Sequence, residues 1–276
     1  MDTIIGLGQA GCAIADKFAE YPQYNIYKID VGLKRTPTTY GLVKQNNFED
    51  YEKKAPTFSR FLSKLSGDVL FVVGGGGAVS SATLSTLKRI KHCNISVLYI
   101  KPDMDFLGKV AQNLNNMCLG ILQEYARSGV FERIYLVDNS KLEEILPSVS
   151  IKKYYDNLNE AIVSTFHMLN IFNNNKSVTD TFSALPAATR ISTIGFVTPE
   201  DNTDNMFFSL DRSTDIAYYY AYSQSRLEEG SKLFSEIKKS IKKKMSDEVR
   251  VTYGIFETNY EQDYIYCVKH TSVIQQ

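Results

Sequence analysis

Four consecutive glycines, residues 74–77, follow a hydrophobic run at 69–73 that is typical of a buried strand. A segment compatible with a helix, residues 78–90, comes directly after them. A strand, a glycine turn and a helix N-terminus in this order let backbone N–H groups converge on a phosphate. Glycine suits such a turn because a side chain would keep the ligand away from the backbone. The sequence therefore predicts a phosphate site at 74–77.

A second turn of the same kind lies near the N-terminus. Residues 2–6 form a short apolar strand, residues 6–11 read GLGQAG, and residues 12–19 have helical apolar spacing. The spacing G-x-G-x-x-G also fits a dinucleotide fold, with Asp30 after the next strand as the ribose partner. Either turn alone is compatible with a strand–helix connection that binds nothing. Two such turns in one chain favour a shared phosphate cleft.

The elements that must hold these turns alternate between strand and helix over residues 1–150, which predicts a parallel sheet with helices on both faces. Residues 45–54 are expected to form an exposed loop. Four later strands are predicted at 191–197, 216–223, 249–256 and 264–270. Helices are predicted at 107–127, 141–146, 154–172 and 226–245.

Composition limits the class of protein. The 276 residues carry 31 basic and 31 acidic side chains, so a general nucleic-acid-binding role has no electrostatic support. The sequence shows neither an apolar run long enough to span a membrane nor a secretory signal, and we expect a cytoplasmic protein. The four cysteines (12, 93, 118 and 267) are far apart and the three histidines have no ligand spacing, so no metal site is expected.

Several segments resemble one family. GQAG at 8–11 resembles the first phosphate loop of tubulin, and IIGLGQAG at 4–11 resembles the corresponding turn of bacterial FtsZ. FVVGGGG at 71–77 is similar to the strand and signature loop of that family, which reads GGGTGSG or GGGTGTG. Four further segments resemble FtsZ in the same order along the chain: 94–108, 134–142, 155–162 and 248–259. The chain therefore resembles a divergent member of the tubulin/FtsZ superfamily, of the phage or plasmid type.

The resemblance implies an α/β fold of the tubulin/FtsZ kind. Residues 1–153 would form a Rossmann-type, parallel-sheet nucleotide-binding domain. Residues 154–174 would be a long central connecting helix, and residues 175–276 a smaller α/β C-terminal domain.

The resemblance also implies a ligand, GTP or GDP with Mg²⁺. Tyr155 falls where an aromatic ring stacks on guanine, although a packed core aromatic is an equal alternative. Asn159 falls where a polar group meets the base edge. Asn139 serves the guanine or ribose, or else caps the helix at 141. The nucleotide-binding candidates are Gly8, Gln9, Ala10, Gly11, Cys12, Gly74, Gly75, Gly76, Gly77, Ala78, Asn139, Tyr155 and Asn159.

Residues 175–181, NKSVTDT, correspond to the FtsZ loop NVDFADV, which reaches the nucleotide of the next subunit. Asn175 and Asp180 are therefore the catalytic candidates, since carboxylates there orient the attacking water. Ser177 replaces the first aspartate of the loop. Asp180 is alternatively a carboxylate at the start of a helix, stabilised by the helix dipole.

Four differences from the family weaken the catalytic expectation. Residues 49–54 contain no glycine, residues 77–79 lack the hydroxyl groups, Leu107 replaces a ribose-binding glutamate, and Ser177 replaces an aspartate. A register shift that brings Asp105 to the ribose is a less favoured alternative.

We therefore expect a head-to-tail filament with guanine nucleotide between subunits and weak or no hydrolysis, in the host cell if the gene is of phage origin. The alternative is a nucleotide-independent structural subunit of a larger assembly such as a virion. A Rossmann dehydrogenase has the least support, because no proton donor is identifiable. The partner is thus the protein itself or other subunits of an assembly.

Overall fold

The computed structural model describes residues 1–58, 60–146, 150–228 and 231–276, which are organised around one sheet. The strands are β1 Thr3–Leu7, β2 Asn25–Val31, β3 Thr39–Leu42, β4 Asp68–Gly74, β5 Asn94–Lys101, β6 Arg133–Asp138, β7 Thr179–Asp180, β8 Ile191–Thr198, β9 Thr203–Met206, β10 Asp215–Ser223, β11 Arg250–Thr258 and β12 Tyr264–Thr271. The helices are α1 Gly8–Phe18, α2 Phe48–Lys53, α3 Thr83–Arg89, α4 Lys109–Arg127, α5 Asn139–Ile145, α6 Tyr154–Asn174, α7 Gln224–Glu228 and α8 Ser231–Lys244.

Six parallel strands form one half of the sheet, in the order β3-β2-β1-β4-β5-β6. The parallel sheet agrees with the prediction, and its strand order is that of the Rossmann fold, the type of domain that the resemblance implies. Because the strands are parallel, the turns that follow β1, β4, β5 and β6 meet at one edge of the sheet. We call this the carboxyl edge, and the opposite edge, where these strands begin, the amino edge.

The sheet continues beyond β6 without a break. β8 runs parallel to β6, with Ile134 opposite Ile191 and Leu136 opposite Thr193. β12, β10, β11 and β7 follow in that order, and β12 is antiparallel to both of its neighbours. Backbone hydrogen bonds of the sheet therefore connect residues on the two sides of α6. The division at 153 and 174 stays a prediction.

Alternate residues of β4 are buried on opposite faces of the sheet. Val69, Phe71 and Val73 join a core cluster with α2, α3 and α4, whereas Leu70 and Val72 join a second cluster with α1, α5 and α6. A strand buried on both faces appears in sequence as a continuous hydrophobic run. This burial explains the run that precedes the four glycines.

The long helix α6 connects the two edges. It begins after β6 and α5 at the carboxyl edge, and near its end Asn170 Nδ2 donates to the carbonyl oxygen of Met1, at 3.1 Å, at the amino edge. Its 21 residues give a length of about 31 Å. Neither α6 nor any other helix within the described ranges is long and apolar enough to cross a membrane.

Two predicted elements differ from the structure. The exposed loop predicted at 45–54 is wrong for its second half, which is helix α2; Asn47 Oδ1 caps it by accepting from Asp50 N–H at 3.0 Å. Glu49 and Asp50 lie in its first turn, where carboxylates stabilise the helix dipole. The helix predicted at 226–245 is found as α7 and α8, and residues 229–230 between them lie outside the described residues.

Candidate functional site

The two glycine turns lie side by side at the carboxyl edge. β1 and β4 are neighbours in the sheet, and Leu7 is opposite Val73. A Cβ atom built on Gly74 would lie 2.9 Å from the Cβ of Ala10, so the second turn contacts the first turn of α1. The structure thus brings together the two segments that the sequence assigns to phosphate.

Close packing of backbone on backbone explains two glycines of the first turn. A Cβ on Gly6 would lie 2.3 Å from the carbonyl oxygen of Gly11, and a Cβ on Gly11 would lie 2.4 Å from that of Val72. Gly8 has a φ angle of +72°, which glycine adopts without steric cost. The helix α1 therefore approaches the ends of β1 and β4 more closely than any side chain would allow.

The first turn of α1 presents backbone donors at this edge. The helix begins at Gly8, and its first four N–H groups have no partner within the helix. Gln9 and Ala10 are exposed, whereas Gly11 and Cys12 are buried. Free N–H groups and the positive end of the helix dipole both favour an anion at this position.

Cys12 can contribute only its backbone to such a site. Its Sγ is directed inward and donates to the carbonyl oxygens of Gly6 at 3.5 Å and Ile29 at 3.7 Å. Burial, followed by the charge of Asp30, raises the pKa of the Cys12 thiol to about 12. The thiol therefore stays protonated at neutral pH.

The side chains of Asn115 and Tyr99 pack against the second turn and leave no room for a side chain at Gly75. A Cβ on Gly75 would lie 2.0 Å from Oδ1 of Asn115 and 2.4 Å from the hydroxyl of Tyr99, and these two side chains hydrogen-bond to each other at 2.9 Å. Gly76 has a φ angle of +75°. A Cβ on Gly77, by contrast, meets nothing closer than Ser80 Oγ at 3.4 Å. Packing or backbone conformation thus accounts for the glycines before Gly77.

The two hydroxyl groups that follow the second turn, those of Ser80 and Ser81, are not available to a phosphate. Ser80 Oγ donates to the carbonyl oxygen of Gly74. Ser81 Oγ is buried and has no hydrogen-bond partner among the described residues. Both serines line an apolar groove of about 350 Å³ between α2, α3 and α4, together with Leu114 and Cys118. Around Ala78 the turn therefore offers backbone N–H groups alone.

Leu107 lies directly against the second turn. Its Cδ1 would be 3.0 Å from a Cβ on Gly76. An apolar side chain at this place accepts no hydrogen bond from a sugar hydroxyl. Asp105, the alternative acceptor, is exposed, and its N–H donates to Asp103 Oδ1 at 3.0 Å.

Tyr155 is exposed at the start of α6, with 68% of its surface accessible. Its ring meets that of Tyr154 edge to face at 5.0 Å, and the Tyr154 hydroxyl donates to Glu143 at 2.9 Å. The alternative that Tyr155 is a packed core aromatic is therefore wrong. An exposed ring at this edge has a free face for stacking.

Asp138, and not Asn139, caps helix α5, so the capping alternative for Asn139 is wrong. Asp138 Oδ1 accepts from Ser140 N–H at 2.9 Å, and Asn139 is the first residue of the helix. The side chains of Asn139 and Asn159 are half-buried and hydrogen-bond to no other residue in the described part of the chain. Their amide groups are therefore available to a ligand.

Sequence reasoning missed a lysine at this edge. Lys101 Nζ lies 3.3 Å from Asp138 Oδ2 and 5.5 Å from the ring centre of Phe208, and Lys101 and Asp138 are both half-buried. The Lys-Pro pair at 101–102, in the segment that resembles FtsZ, was the available signal. The ion pair fixes the end of β5 against the N-terminus of α5.

Residues 175–181 lie near the amino edge, since Asn175 and Asp180 line one cavity with Arg133 at the start of β6. Thr179 and Asp180 form strand β7, and Asp180 is opposite Gly254 of β11. The Ser177 hydroxyl donates to Asp180, whose Oδ1 also accepts from Phe182 N–H at 3.2 Å. The alternative of a carboxylate at the start of a helix is therefore wrong for Asp180, which lies in a strand. Asn175 is exposed just after α6.

The structure does not bring the catalytic candidates to the glycine turns of the same molecule. Tyr155 is at the beginning of α6 and Asn175 follows its end. The length of the helix places these two positions about 30 Å apart. The two halves of the predicted site are therefore at opposite edges of one chain.

Solved structures share the fold of this chain. A protofilament of TubZ from Bacillus thuringiensis serovar israelensis in its GTPγS form matches with a TM-score of 0.74 and 17% identity, over 98% of this chain and 88% of that chain. CetZ2 of Haloferax volcanii, a GTPγS-bound protofilament, matches with 0.67 and 18%, over 98% and 92%. The protein has the tubulin/FtsZ fold.

An empty FtsZ dimer of M. jannaschii, which has the same fold, matches with a TM-score of 0.67 and 14% identity, over 98% of this chain and 87% of that chain. No protein-family model and no curated protein matches the sequence. The predicted fold is confirmed, and the structural neighbours are filament-forming proteins of the tubulin/FtsZ type. At identities this low, the likeness shows the fold alone.

Proposed function

We propose that the protein binds GTP or GDP at the carboxyl edge and assembles head to tail into filaments, with weak or no hydrolysis. The observation that carries the proposal is the position of the two half-sites. The glycine turns and Tyr155 lie at one edge, and Asn175 and Asp180 lie at the other. One molecule does not complete the site, but a second copy stacked on the first would complete it.

The carboxyl edge offers partners for the phosphates and the base of a guanine nucleotide, but not for its ribose. Backbone N–H groups of the adjacent glycine turns fit the phosphates. Tyr155, Asn139 and Asn159 supply a stacking ring and free amides for the base. The ribose is the part without a protein acceptor, because Leu107 is apolar. The bound nucleotide would supply the reactive phosphates.

A Mg²⁺ ion would depend on the nucleotide. Among the described residues, no group of three or more His, Cys, Asp or Glu side chains is arranged to hold a metal ion. Mg²⁺ commonly binds through one or two protein groups together with substrate phosphates. The ion would therefore enter with GTP.

Weak hydrolysis is expected from the hydrogen bonds of Asp180 within residues 175–182, which we call the amino-edge loop. Both carboxylate oxygens of Asp180 accept hydrogen bonds within the loop itself, from Ser177 and from the N–H of Phe182. An oxygen that is already engaged orients water less effectively. Asp180 is also the remaining carboxylate of the loop, since Ser177 occupies the place of the other.

Head-to-tail assembly is supported by apolar side chains left exposed near both half-sites. Phe106 and Ile151 are 87% and 94% accessible near the carboxyl edge, and Val178 is 59% accessible in the amino-edge loop. Two different surfaces of one molecule that bind each other generate an open filament. Self-assembly is also described for the structural neighbours, which include protofilaments and helical filaments of TubZ.

A second candidate is a scaffold subunit that assembles without nucleotide, for instance in a virion. It is favoured by the orientation of Ser80 and by the apolar Leu107, which together leave the site without a hydroxyl at the second turn and without a ribose acceptor. The phage or plasmid origin and the cytoplasmic location also stay predictions.

Identification of any nucleotide in the purified protein, together with light scattering and phosphate release, separates the two candidates. The first predicts bound guanine nucleotide and scattering that rises on addition of GTP with Mg²⁺. A purified protein without nucleotide, whose light scattering does not change on addition of GTP, would exclude the first candidate.

Ser177→Asp tests the amino-edge loop, since a second carboxylate should raise phosphate release. An unchanged rate would place the deficiency elsewhere.

A further inference from the structure

A cavity of about 630 Å³ lies at the amino edge, between the second half of α6, the starts of β6, β10 and β11, and the loop at 175–185. We call it the amino-edge cavity. Its volume is in the range of sites that hold small organic molecules. Its lining includes large apolar side chains, namely Phe166, Leu169, Phe172, Tyr219 and Val268. It also includes charged groups, among them Arg133, Asp215 and Arg250.

Arg133 is a cation that lines the cavity, and part of its guanidinium forms no hydrogen bond with the described residues. Its Nη1 donates to Ser192 Oγ at 3.0 Å, to His270 Nδ1 at 2.9 Å and to the carbonyl oxygen of Thr189 at 3.4 Å. Its Nη2 and Nε form no hydrogen bond or ion pair with any other described residue. A guanidinium presents five donors in a fork that matches a carboxylate or phosphate. The remaining donors of Arg133 are therefore free for an anion.

The carboxylates around the cavity leave Arg133 without a counter-ion. Each of them already has a partner of its own. Asp215 is held by Arg250 at 2.6 Å, Glu132 by Arg190 at 3.4 Å, and Asp180 by the hydroxyl of Ser177 and the N–H of Phe182. Lys176 adds a further cation from the exposed loop. A partly buried charge without a partner is unfavourable, and a bound anion would compensate it.

The side chains that accept hydrogen bonds from Arg133 are buried and uncharged. Ser192 is fully buried and His270 nearly so. The Ser192 hydroxyl donates to His270 Nδ1 at 2.8 Å, next to the donation from Arg133. Burial and the charges of Arg133 and Arg250 lower the pKa of His270 well below its usual value. The neutral imidazole therefore accepts from Arg133 without repelling it, and the guanidinium is held in place before any ligand arrives.

We propose that the amino-edge cavity binds a small organic anion, with its carboxylate or phosphate group on Arg133 and its apolar body against Phe166, Leu169 and Val268. The unused donors of Arg133 beside apolar side chains favour such a molecule over inorganic ions and over neutral apolar compounds. This proposal does not depend on the nucleotide site at the other edge.

Isothermal titration calorimetry of the full chain tests the proposal with phenyl phosphate and phenylacetate as anionic probes and benzyl alcohol as the neutral counterpart. Both anions should bind with millimolar affinity or better, and benzyl alcohol should bind much more weakly. Arg133→Gln should weaken anion binding about 10- to 100-fold, because it removes a charge-assisted hydrogen bond. Arg127→Gln removes an exposed arginine of α4 from outside the cavity and should bind like the wild type.

Saturating GDP is the control for the carboxyl edge, and it should leave probe binding unchanged. If Arg133→Gln does not fold, Arg133→Lys, which keeps the charge and loses the fork, replaces it and should still weaken binding. Intermolecular NOEs from the probe ring to the methyl groups of Leu169 and Val268 locate the probe. The proposal is overturned by an absence of binding, by equal binding of benzyl alcohol, by unchanged affinity in the Arg133 variants, or by competition from GDP.

Discussion

The carboxyl edge and the amino edge present two different kinds of polar surface. At the carboxyl edge the glycine turns offer backbone N–H groups, Leu107 beside them is apolar, and the polar side chains of Tyr99 and Ser80 are already hydrogen-bonded within the protein. At the amino edge the polar groups are side chains, among them Arg133, His270 and Arg250, and they form hydrogen bonds with one another or with nearby carboxylates. A backbone surface depends on the glycines that shape it, whereas a side-chain surface depends on charge and protonation.

Gly6→Ala should have the largest effect on stability and would test the backbone half of this contrast. The new Cβ would lie 2.3 Å from the carbonyl oxygen of Gly11. Overpacking against backbone should lower the free energy of unfolding by roughly 3 kcal/mol. Urea unfolding followed by circular dichroism measures the change.

Gly77→Ala is the matched control for that variant. Gly77 has a φ angle of −80°, which alanine adopts, and the new Cβ would have only Ser80 Oγ nearby. We expect a change within about 1 kcal/mol, in the stabilising direction. An equal loss of stability in both variants would contradict the view that packing fixes the glycines before Gly77.

A smaller decrease in the free energy of unfolding is expected from the buried histidines when the pH falls. The pKa of His270 is lowered by burial and by the neighbouring arginines, and that of His167 by burial. The unfolded chain therefore binds protons that the folded chain does not, and stability should decrease as the pH falls below about 6.5. Unfolding midpoints in urea at several pH values measure this slope.

His270→Gln should flatten the slope, because one of the two buried imidazoles is removed. His92→Gln changes an exposed histidine that donates to or accepts from no other titratable side chain in the described residues, and it should leave the slope as in the wild type. A slope that His270→Gln does not alter would mean that groups other than this histidine control acid stability.

Tyr155→Ala should have the smallest effect on stability and a clear effect on binding. The ring is exposed, so the free energy of unfolding should change by about 0.5 kcal/mol or less. Stacking on a base contributes roughly 1–3 kcal/mol, and the affinity for GDP should fall accordingly. Tyr125→Ala removes an exposed tyrosine of α4 and serves as the control. If the two variants bind GDP equally well, Tyr155 is not the base platform.

The sequence predicts well those features that depend on local order. Val69 to Val73 is apolar throughout because β4 is buried on both faces, and the glycines after it mark the turn. Helix α2 is missed because its six residues are mostly charged and are too few to show more than one apolar pair at helical spacing, Phe48 and Tyr51. Strands β7 and β9 have two and four residues, which is too short for an alternating pattern.

The candidate site is predictable in its position and much less so in its side-chain orientations. Ser80 follows the glycine run, as a phosphate-binding hydroxyl would, yet its hydroxyl is directed to the carbonyl of Gly74. The contact between Arg133 and His270 joins positions 137 residues apart, so no local spacing indicates it. Such contacts depend on the order of β6, β8, β12 and β10 in the sheet, which appears only when the chain is folded.

The unbroken sheet has a mechanical consequence. Its long strands, parallel and antiparallel, extend between the amino edge and the carboxyl edge, and α6 lies beside them over about 31 Å. A tension applied between the two edges would therefore load the backbone ladders in shear, so that many hydrogen bonds resist it together. A pull across the sheet would instead open one ladder at a time. We therefore expect the molecule to resist tension most strongly along the axis between its two edges, on which successive copies of a filament would lie.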